Sequence, residues 1–487
     1  MNIVWFKKDL RIQDHAALCH SLETNKTVGL FIFEPEWLQS PEFDIKQLRF
    51  VLESLRELRL NLARLGVPLL LREGSAPQVF GELHRKAKIS ALFSHQETGL
   101  LWSFERDIKM KSWCRDNSIP WKEFKQFAVI RGLKDRDTWN EKRKEIIERK
   151  TLQAKPQEPL TPPWLLGNEP NQAEKIIQSG DFILKGGSSR AHYLLNSFMK
   201  ERGQHYLRSL SSPTKAFDGC SRLSPYITWG NISITEIHQA LSLRKRQLVS
   251  EPYSWGWQNS LQQFESRLWW HCHFIQKLES EPEVEFSNFN KKFDGLREAE
   301  FDEAKFQAWC RGETGFPMID ACMRAPHQHG WINFRMRALL ISFASYQLWL
   351  HWKKPAEFLA RQFLDFEPGI HYSQIQMQAG VTGINTIRIY SPKKQFLDQD
   401  PDGDFVKKYI PELRGLSVAD LAEPHMMPPL LQLEAGFKPG SSYPHPIVDP
   451  EASYQKARDR IFSWKDRPEV KVEAKRVQKK HGSRKTK

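Results

Sequence analysis

The chain has no paired cysteines. Its six (Cys19, Cys114, Cys220, Cys272, Cys310 and Cys322) are scattered, none in a C-x-x-C spacing. That argues against a disulfide framework and against a zinc site, so no metal is expected, and it points to a reducing compartment. None lies beyond Cys322, which leaves no thiolates for a C-terminal iron–sulfur cluster. No apolar run reaches the ~18 residues of a membrane-spanning helix, so no membrane partner is expected. The N-terminus, MNIVWFKKDLRIQDH, enters a strand-like run directly and lacks the layout of a secretory signal. No G-x-G-x-x-G follows that run, so the usual dinucleotide fingerprint is missing.

What the chain does have is charge, aromatics and length. Its 487 residues suffice for two or three domains with a substantial core. The net charge of +14 and pI near 9.3 favour a polyanionic partner, nucleic acid ahead of an acidic membrane. Seventeen tryptophans and thirty phenylalanines supply either flat stacking surfaces or bulky packing for helical cores.

Short apolar runs at residues 2–6, 28–33, 68–72 and 89–94 alternate with helix-length segments. The clearest of these is Ile45–Leu65, with Leu48, Leu52, Leu55, Leu58 and Leu62 on one face. The alternation predicts a doubly wound parallel α/β domain over residues 1–130. Residues 131–187, with Pro156, Pro159, Pro162, Pro163 and Pro170 among polar residues, read as a linker. From 188 to 450 strand patterns give way to helical ones, predicting an all-α domain. Residues 451–487 end in KVEAKRVQKKHGSRKTK and are expected to be a disordered basic tail.

The helical part is centred on residues 312–392. Met336, Leu339, Leu340, Phe343 and Leu350 recur at helical spacing, predicting one buried helix over Asn333–Trp352. Arg324, Arg335 and Arg337 in or beside it suggest an anion nearby. Asp365 and Glu367 precede a break at Pro368-Gly369 and could accept from a ligand or pair with those arginines. Ser221, Arg222 and Ser224 suit a pyrophosphate, although a helix cap explains Ser224 equally well. Trp270, His271, His273 and Lys277 put aromatic and cationic groups together, as a nucleobase platform would. The His271/His273 spacing turns those imidazoles apart, against a shared metal.

The order of five stretches adds to this. WFKKDLRIQDHAAL, HQETGLLWSFERD, SRLSPYITWGNIS, GETGFPMIDACMR and RIYSPKKQFLDQDPDGDFVKKYIPEL together resemble the photolyase/cryptochrome family. The resemblance implies an α/β domain linked to a helical domain that binds FAD in a cavity open to DNA. It places FAD contacts at Tyr206, Ser221, Arg222, Leu223, Ser224, Asp365 and Glu367, with Cys220 standing where the family has threonine. His371 falls where an asparagine faces the flavin N5. Trp270 takes the position of the tryptophan that stacks on a flipped-out pyrimidine dimer. His271, Lys277, Phe334, Arg337 and Gln395 fall on the DNA side.

Several positions depart from the family. Arg267 stands for the glutamate that reads the dimer, Phe334 for an asparagine, and His271 for an arginine. Asn333 and Arg337 lie where six-four photolyases of the animal type carry two histidines. Of the family's three relay tryptophans only the middle one is kept, as Trp352. Ile375 and the segment 296–299 replace the others, leaving Tyr346, Trp349, Tyr372 and Tyr390 as alternative electron donors.

The implied function is light-driven splitting of cyclobutane pyrimidine dimers in single- or double-stranded DNA by a soluble monomer. The alternative is a blue-light photoreceptor without repair. For an antenna chromophore in the N-terminal domain the resemblance leaves folate, deazaflavin, flavin or none open; Glu97 and Glu105 lie in the segment that faces it in relatives. The expected place is the cytoplasm of a bacterium, or the nucleus or an organelle of a eukaryote.

Overall fold

The structure, a computed structural model, describes residues 1–160, 177, 184–251 and 255–483. Pro162, Pro163 and Pro170 of the linker and the last four residues of the tail lie outside them. Elements below are the five strands and the described helices of eight or more residues.

The α/β part runs β1 (Asn2–Phe6), α1 (Ala16–Thr24), β2 (Thr27–Phe33), α2 (Ile45–Arg64), β3 (Leu69–Glu73), α3 (Ala76–Lys86), β4 (Ala91–His95), α4 (Leu101–Asp116) and β5 (Trp121–Phe124). The strands form one parallel sheet in the order β3-β2-β1-β4-β5. After a polar first residue (Asn2, Thr27), β1 and β2 carry no polar side chain, and both are buried at every position, as strands covered by helices on both faces must be. α2 starts where the Asp44 carboxylate accepts from the Lys46 N–H at 2.8 Å and buries its leucine row. The weakly apolar β5 has no counterpart among the four runs legible in the sequence; it forms because β4 offers it an edge.

The linker region contains α5 (Trp139–Glu148). The helical part is α6 (Ser188–Lys200), α7 (Ile234–Leu248), α8 (Trp255–Ser280), α9 (Glu303–Arg311), α10 (Pro317–His329), α11 (Phe334–Ser342), α12 (Lys353–Gln362), α13 (Pro368–Ala379), α14 (Pro392–Gln399), α15 (Pro450–Lys465) and α16 (Pro468–His481). The two parts share a core in which Phe6, Leu10 and Phe33 pack with Phe198, Tyr226 and Trp229. Gly230, at φ +66°, lets that turn touch the Lys8–Asp9 backbone, where any Cβ would collide.

Two expectations need correction. Asn333–Trp352 is not one helix: α11 widens over Phe343–Gln347, where the Leu348 N–H reaches the Phe343 carbonyl at 3.1 Å. It then stops at Trp349, held at φ +57° with Arg297 stacked on its ring at 4.6 Å. Trp352 begins α12 instead. Nor is the segment from 451 disordered across the described residues. α16 buries Val470, Val477 and His481, and His481 Nε2 lies 2.7 Å from the Glu281 carboxylate. Basic residues line its outer face, while an apolar stripe at helical spacing docks the inner one.

Candidate functional site

Where α11, α12 and α13 meet, a cleft of about 490 Å³ opens. Its polar floor is the connection Asp365-Phe366-Glu367 with the first residue of α13, Pro368, and these residues alternate between two cavities. Asp365 and Glu367 line the cleft, whereas Phe366 and Pro368 line a second pocket at the carboxyl ends of β1 and β2. Pro368 starts α13, and Gly369 lets that start press on Ile275 of α8, 2.6 Å from where a Cβ would stand.

Arg337 donates from Nη1 and Nη2 to the two Asp365 oxygens, each at 2.9 Å, and lies flat on Phe363 at 4.0 Å. The pair is bidentate, the strongest geometry for a guanidinium and a carboxylate. Glu367 is buried with Oε1 unpartnered among the described residues, and burial, against the pull of Lys8, pushes its pKa up to about 7. His371 is pushed down to about 4, chiefly by burial. Its Nε2 sits 2.9 Å from the Ala356 carbonyl, so Nε2 carries the hydrogen and Nδ1 is left as an acceptor.

The Ser-Arg segment is fastened to this floor. Trp229 Nε1 donates to the Leu364 carbonyl at 3.0 Å and the Thr228 hydroxyl to that of Asp365 at 3.5 Å. Leu223 leads into the short helix Ser224–Thr228, the Leu223 N–H reaches Ser221 Oγ at 3.4 Å, and Arg222 is held at φ +58°. The Arg222 Nε is buried without a hydrogen-bond partner among the described residues, and its guanidinium lies 4.6 Å over Phe217. Arg202 meets no carboxylate; it donates to the Ser197 hydroxyl at 3.0 Å and to the carbonyls of Leu194, Asp218 and Cys220 at 3.0, 2.7 and 2.6 Å. Burial and then Arg222 lower its pKa to about 10. Tyr206 packs on Phe264 beside them, with Arg267 as its polar neighbour. Unpaired guanidinium donors next to hydroxyls, together with an orphaned carboxyl oxygen, are the complement of a ligand bearing both phosphates and a ring N–H. On those orphaned atoms the residues fit FAD.

Other expected site residues stand apart. Trp270 is half-buried and stacked on Phe274 at 5.4 Å, with its edge on Trp269 and His273. His271 meets Phe127 edge-on at 5.0 Å, and burial pushes it down to about 3. Neither lines the cleft. Lys277 does not face solvent: only 7 % exposed, its ammonium lies over Phe274 and Phe289 at 5.2 and 5.4 Å. Gln395 is likewise buried. Both are corrected from DNA-facing to packing positions. Arg324 is a staple, donating to the Gly312 carbonyl and to Glu412. Phe334, by contrast, stands 46 % exposed at the cleft. Trp352 is buried, bonded from Nε1 to Asn288 at 2.7 Å and edge-on to Tyr372 at 6.1 Å. Tyr372 in turn donates to Glu42 at 2.6 Å.

The second pocket, about 660 Å³, was only partly legible in the sequence. Arg106 holds it together, donating to Glu34 (2.7 Å), Glu97 (2.8 Å) and Asp107 (2.8 Å) while lying against Trp5 and Trp102. Glu97 is therefore a wall residue, whereas Glu105 points to solvent. Only the burial of Arg106 and Asp107 beside Glu97, with Glu105 left outside, distinguishes them.

Asp9, His15 and His95 lie close enough to share a metal, but their hydrogen bonding opposes it. His15 Nδ1 accepts from the Leu18 N–H at 3.0 Å, so its Nε2 carries the proton and faces Asp9 at 3.0 Å. Metal ligation by Nε2 needs the opposite tautomer. Against their burial, the two imidazoles hold Asp9 well below the usual carboxylate range.

Comparison with known proteins agrees with this geometry. Residues 2–132 match the family described as DNA photolyase, and residues 264–463 match the FAD binding domain of DNA photolyase. The chain is 26% identical to a cryptochrome DASH of Gloeobacter violaceus, covering 92% of this chain and 93% of the other. It is 27% identical to a deoxyribodipyrimidine photo-lyase of Agrobacterium fabrum, covering 95% and 96%. A crystal structure of a bacterial class III photolyase from Agrobacterium tumefaciens superposes with a TM-score of 0.83 at 25% identity, covering 96% of this chain and 98% of that one. An α/β sheet domain, a helical domain with an FAD-type cleft and these relatives converge: the chain belongs to the photolyase/cryptochrome family.

Proposed function

We propose that the cleft holds FAD and that the chain is a light-driven DNA photolyase acting on cyclobutane pyrimidine dimers. The observation that carries the reading is the polar floor: the Arg337–Asp365 pair, the orphaned Glu367 carboxyl and the acceptor-only His371 in one cleft, fastened to the Arg222 segment. Ser221, Arg222 and Ser224 would hold the phosphates, and Asp365 and Glu367 the ring and ribose edges. When bound, reduced FAD supplies an electron to the dimer on blue-light excitation and recovers it after the ring splits. The chain's own part is to position and to bias. His371 Nδ1 can accept from a ring N–H but has nothing to donate, which favours the reduced, N–H-bearing ring over the oxidised one. Phe334 at the rim offers an exposed face on which an extruded base can stack. Leu359, Phe363 and Ile375 keep water from the reacting ring.

A photoreceptor without repair is favoured by one observation, the stacking of Trp270 on Phe274, which covers the face a dimer would need. The second pocket is our candidate for the antenna chromophore. Its tryptophans (Trp5, Trp37, Trp102, Trp229) would enclose a planar ring, and Trp102 Nε1 is a buried donor without a hydrogen-bond partner among the described residues.

The test is repair of dimer-containing oligonucleotides under blue light with an external reductant. Restoration of the pyrimidines is expected. Bound but unrepaired DNA would leave the photoreceptor, and absence of flavin from the purified protein would remove both readings.

A further inference from the structure

A much larger opening, about 2630 Å³ of space continuous with solvent, runs between α5, α6, α7 and α8. On α8 it is lined by Gln262, Ser266 and Trp269. At about 100° per residue these lie on a different face of the helix from Ile275, on which the start of α13 rests.

Three carboxylates border the opening, and each is engaged. Glu236 closes the Ser233 capping box and meets His192 Nε2 at 3.0 Å; Glu265 accepts from Lys245 at 2.6 Å; Glu148 lies 4.0 Å from Lys144. Three cations remain with no carboxylate partner among the described residues: Arg143, Lys150 and Arg246. Lys150 and Arg246 are exposed, as ordinary surface cations are.

Arg143 is different. Its Nε is buried without a partner, and its Nη2 contacts the His238 Nε2 at 3.3 Å. Its other neighbours are His271 and the Cys272 thiol. Both imidazoles are pushed down to about 3, by burial first and by Arg143 next. A half-buried guanidinium whose Nε meets no acceptor among the described residues costs free energy, which an anion arriving from the open side would offset. Amides (Asn196, Gln239, Asn259, Gln263) add neutral donors beside these cations, the mixture that phosphate and sugar oxygens take. The space exceeds what inorganic phosphate needs, and a concave groove walled by helices admits one strand more readily than a rigid duplex.

We propose that this groove binds the phosphate backbone of single-stranded nucleic acid, regardless of damage, with Arg143, Lys150 and Arg246 as phosphate contacts. The reading is independent of what the cleft does.

The experiment uses the full chain and a labelled, undamaged single-stranded oligonucleotide, with anisotropy read across a salt series. Each phosphate contact on a single strand contributes about 0.7 to the slope of log affinity against log salt. The Lys150→Gln/Arg246→Gln double variant, with both changes on the surface, should therefore lose about 1.4 of slope and bind at least about tenfold more weakly at low salt. Arg143→Gln should weaken binding as well, with unchanged flavin absorbance reporting an intact fold. Unchanged affinity and slope in the double variant would overturn the proposal, since any binding would then run through another face. So would displacement of the strand by millimolar inorganic phosphate at constant ionic strength from the parent and not from the double variant, which would make this a site for a free anion.

Discussion

The two cavities on either side of the Asp365–Pro368 segment bury charge in opposite ways. In the pocket of the α/β part, one guanidinium, Arg106, is shared among three carboxylates. In the helical cleft only Arg337 and Asp365 are matched. Glu367 Oε1 and, nearby, the Nε atoms of Arg222 and Arg335 are buried without partners. The first arrangement pairs its charges within the protein and holds domain structure, leaving a neutral donor such as Trp102 Nε1 for a ligand; the second keeps charged groups themselves free for one. Residual, uncompensated polarity is the better mark of a site, because a folded chain otherwise removes it.

The sharpest way to break this contrast is at Arg106. Arg106→Met should cost about 3–5 kcal/mol, because buried Glu34 and Glu97 lose their ion-pair partner and Asp107 keeps only Lys7, 3.6 Å away. Urea unfolding measures it, and a loss below about 1 kcal/mol would mean that the network relaxes to solvent. A smaller effect, with a pH signature, is expected at Glu367. Its folded pKa, about 7, lies above the ordinary 4.5. The folded chain thus keeps a proton the unfolded chain releases, and stability falls as pH rises from about 4.5 to about 7. Glu367→Gln should stabilise the flavin-free protein relative to the parent at pH 8 and not at pH 4; Glu34 and Glu285, also raised to about 7, keep part of the slope in both. Equal melting shifts at the two pH values would rule out a protonated Glu367. The smallest effect on stability is expected at Phe334. Phe334→Ala, at an exposed position, should change unfolding free energy by no more than about 0.5 kcal/mol while weakening binding of dimer-containing DNA several-fold. Unchanged lesion binding would remove Phe334 from the interface.

Much of the architecture was legible because it rests on local periodicity. The leucine row of α2, the apolar runs of β1 and β2 and the change from strand to helix patterning near residue 188 each correspond to a described element. Misreadings came where tertiary contacts override a pattern. Met336 to Leu350 keep helical spacing, yet Arg297 against Trp349 and a left-handed turn end the helix. Lys471 to His481 are dominated by charge, yet two valines and one histidine suffice to dock the segment. Lys277 has the sequence context of a DNA-facing lysine, and the rings of Phe274 and Phe289 enclose it.

The sequence by itself determined the family, the two-part α/β and helical plan, and which residue types are available to meet a flavin: Arg222 after Ser221, Asp365 and Glu367 two apart, His371 where an amide is usual. Only the tertiary structure decided what each is free to do. Two-residue spacing in this connection sends Asp365 and Glu367 to one side and Phe366 to the other, but which cavity lies on each side depends on α8 and the sheet. Whether a charge is spent or kept depends on partners far away in the chain, such as Asp365 for Arg337, the three carboxylates for Arg106, and no carboxylate among the described residues for Arg143. Pairing of that kind is set by packing at a distance, and local sequence carries no record of it.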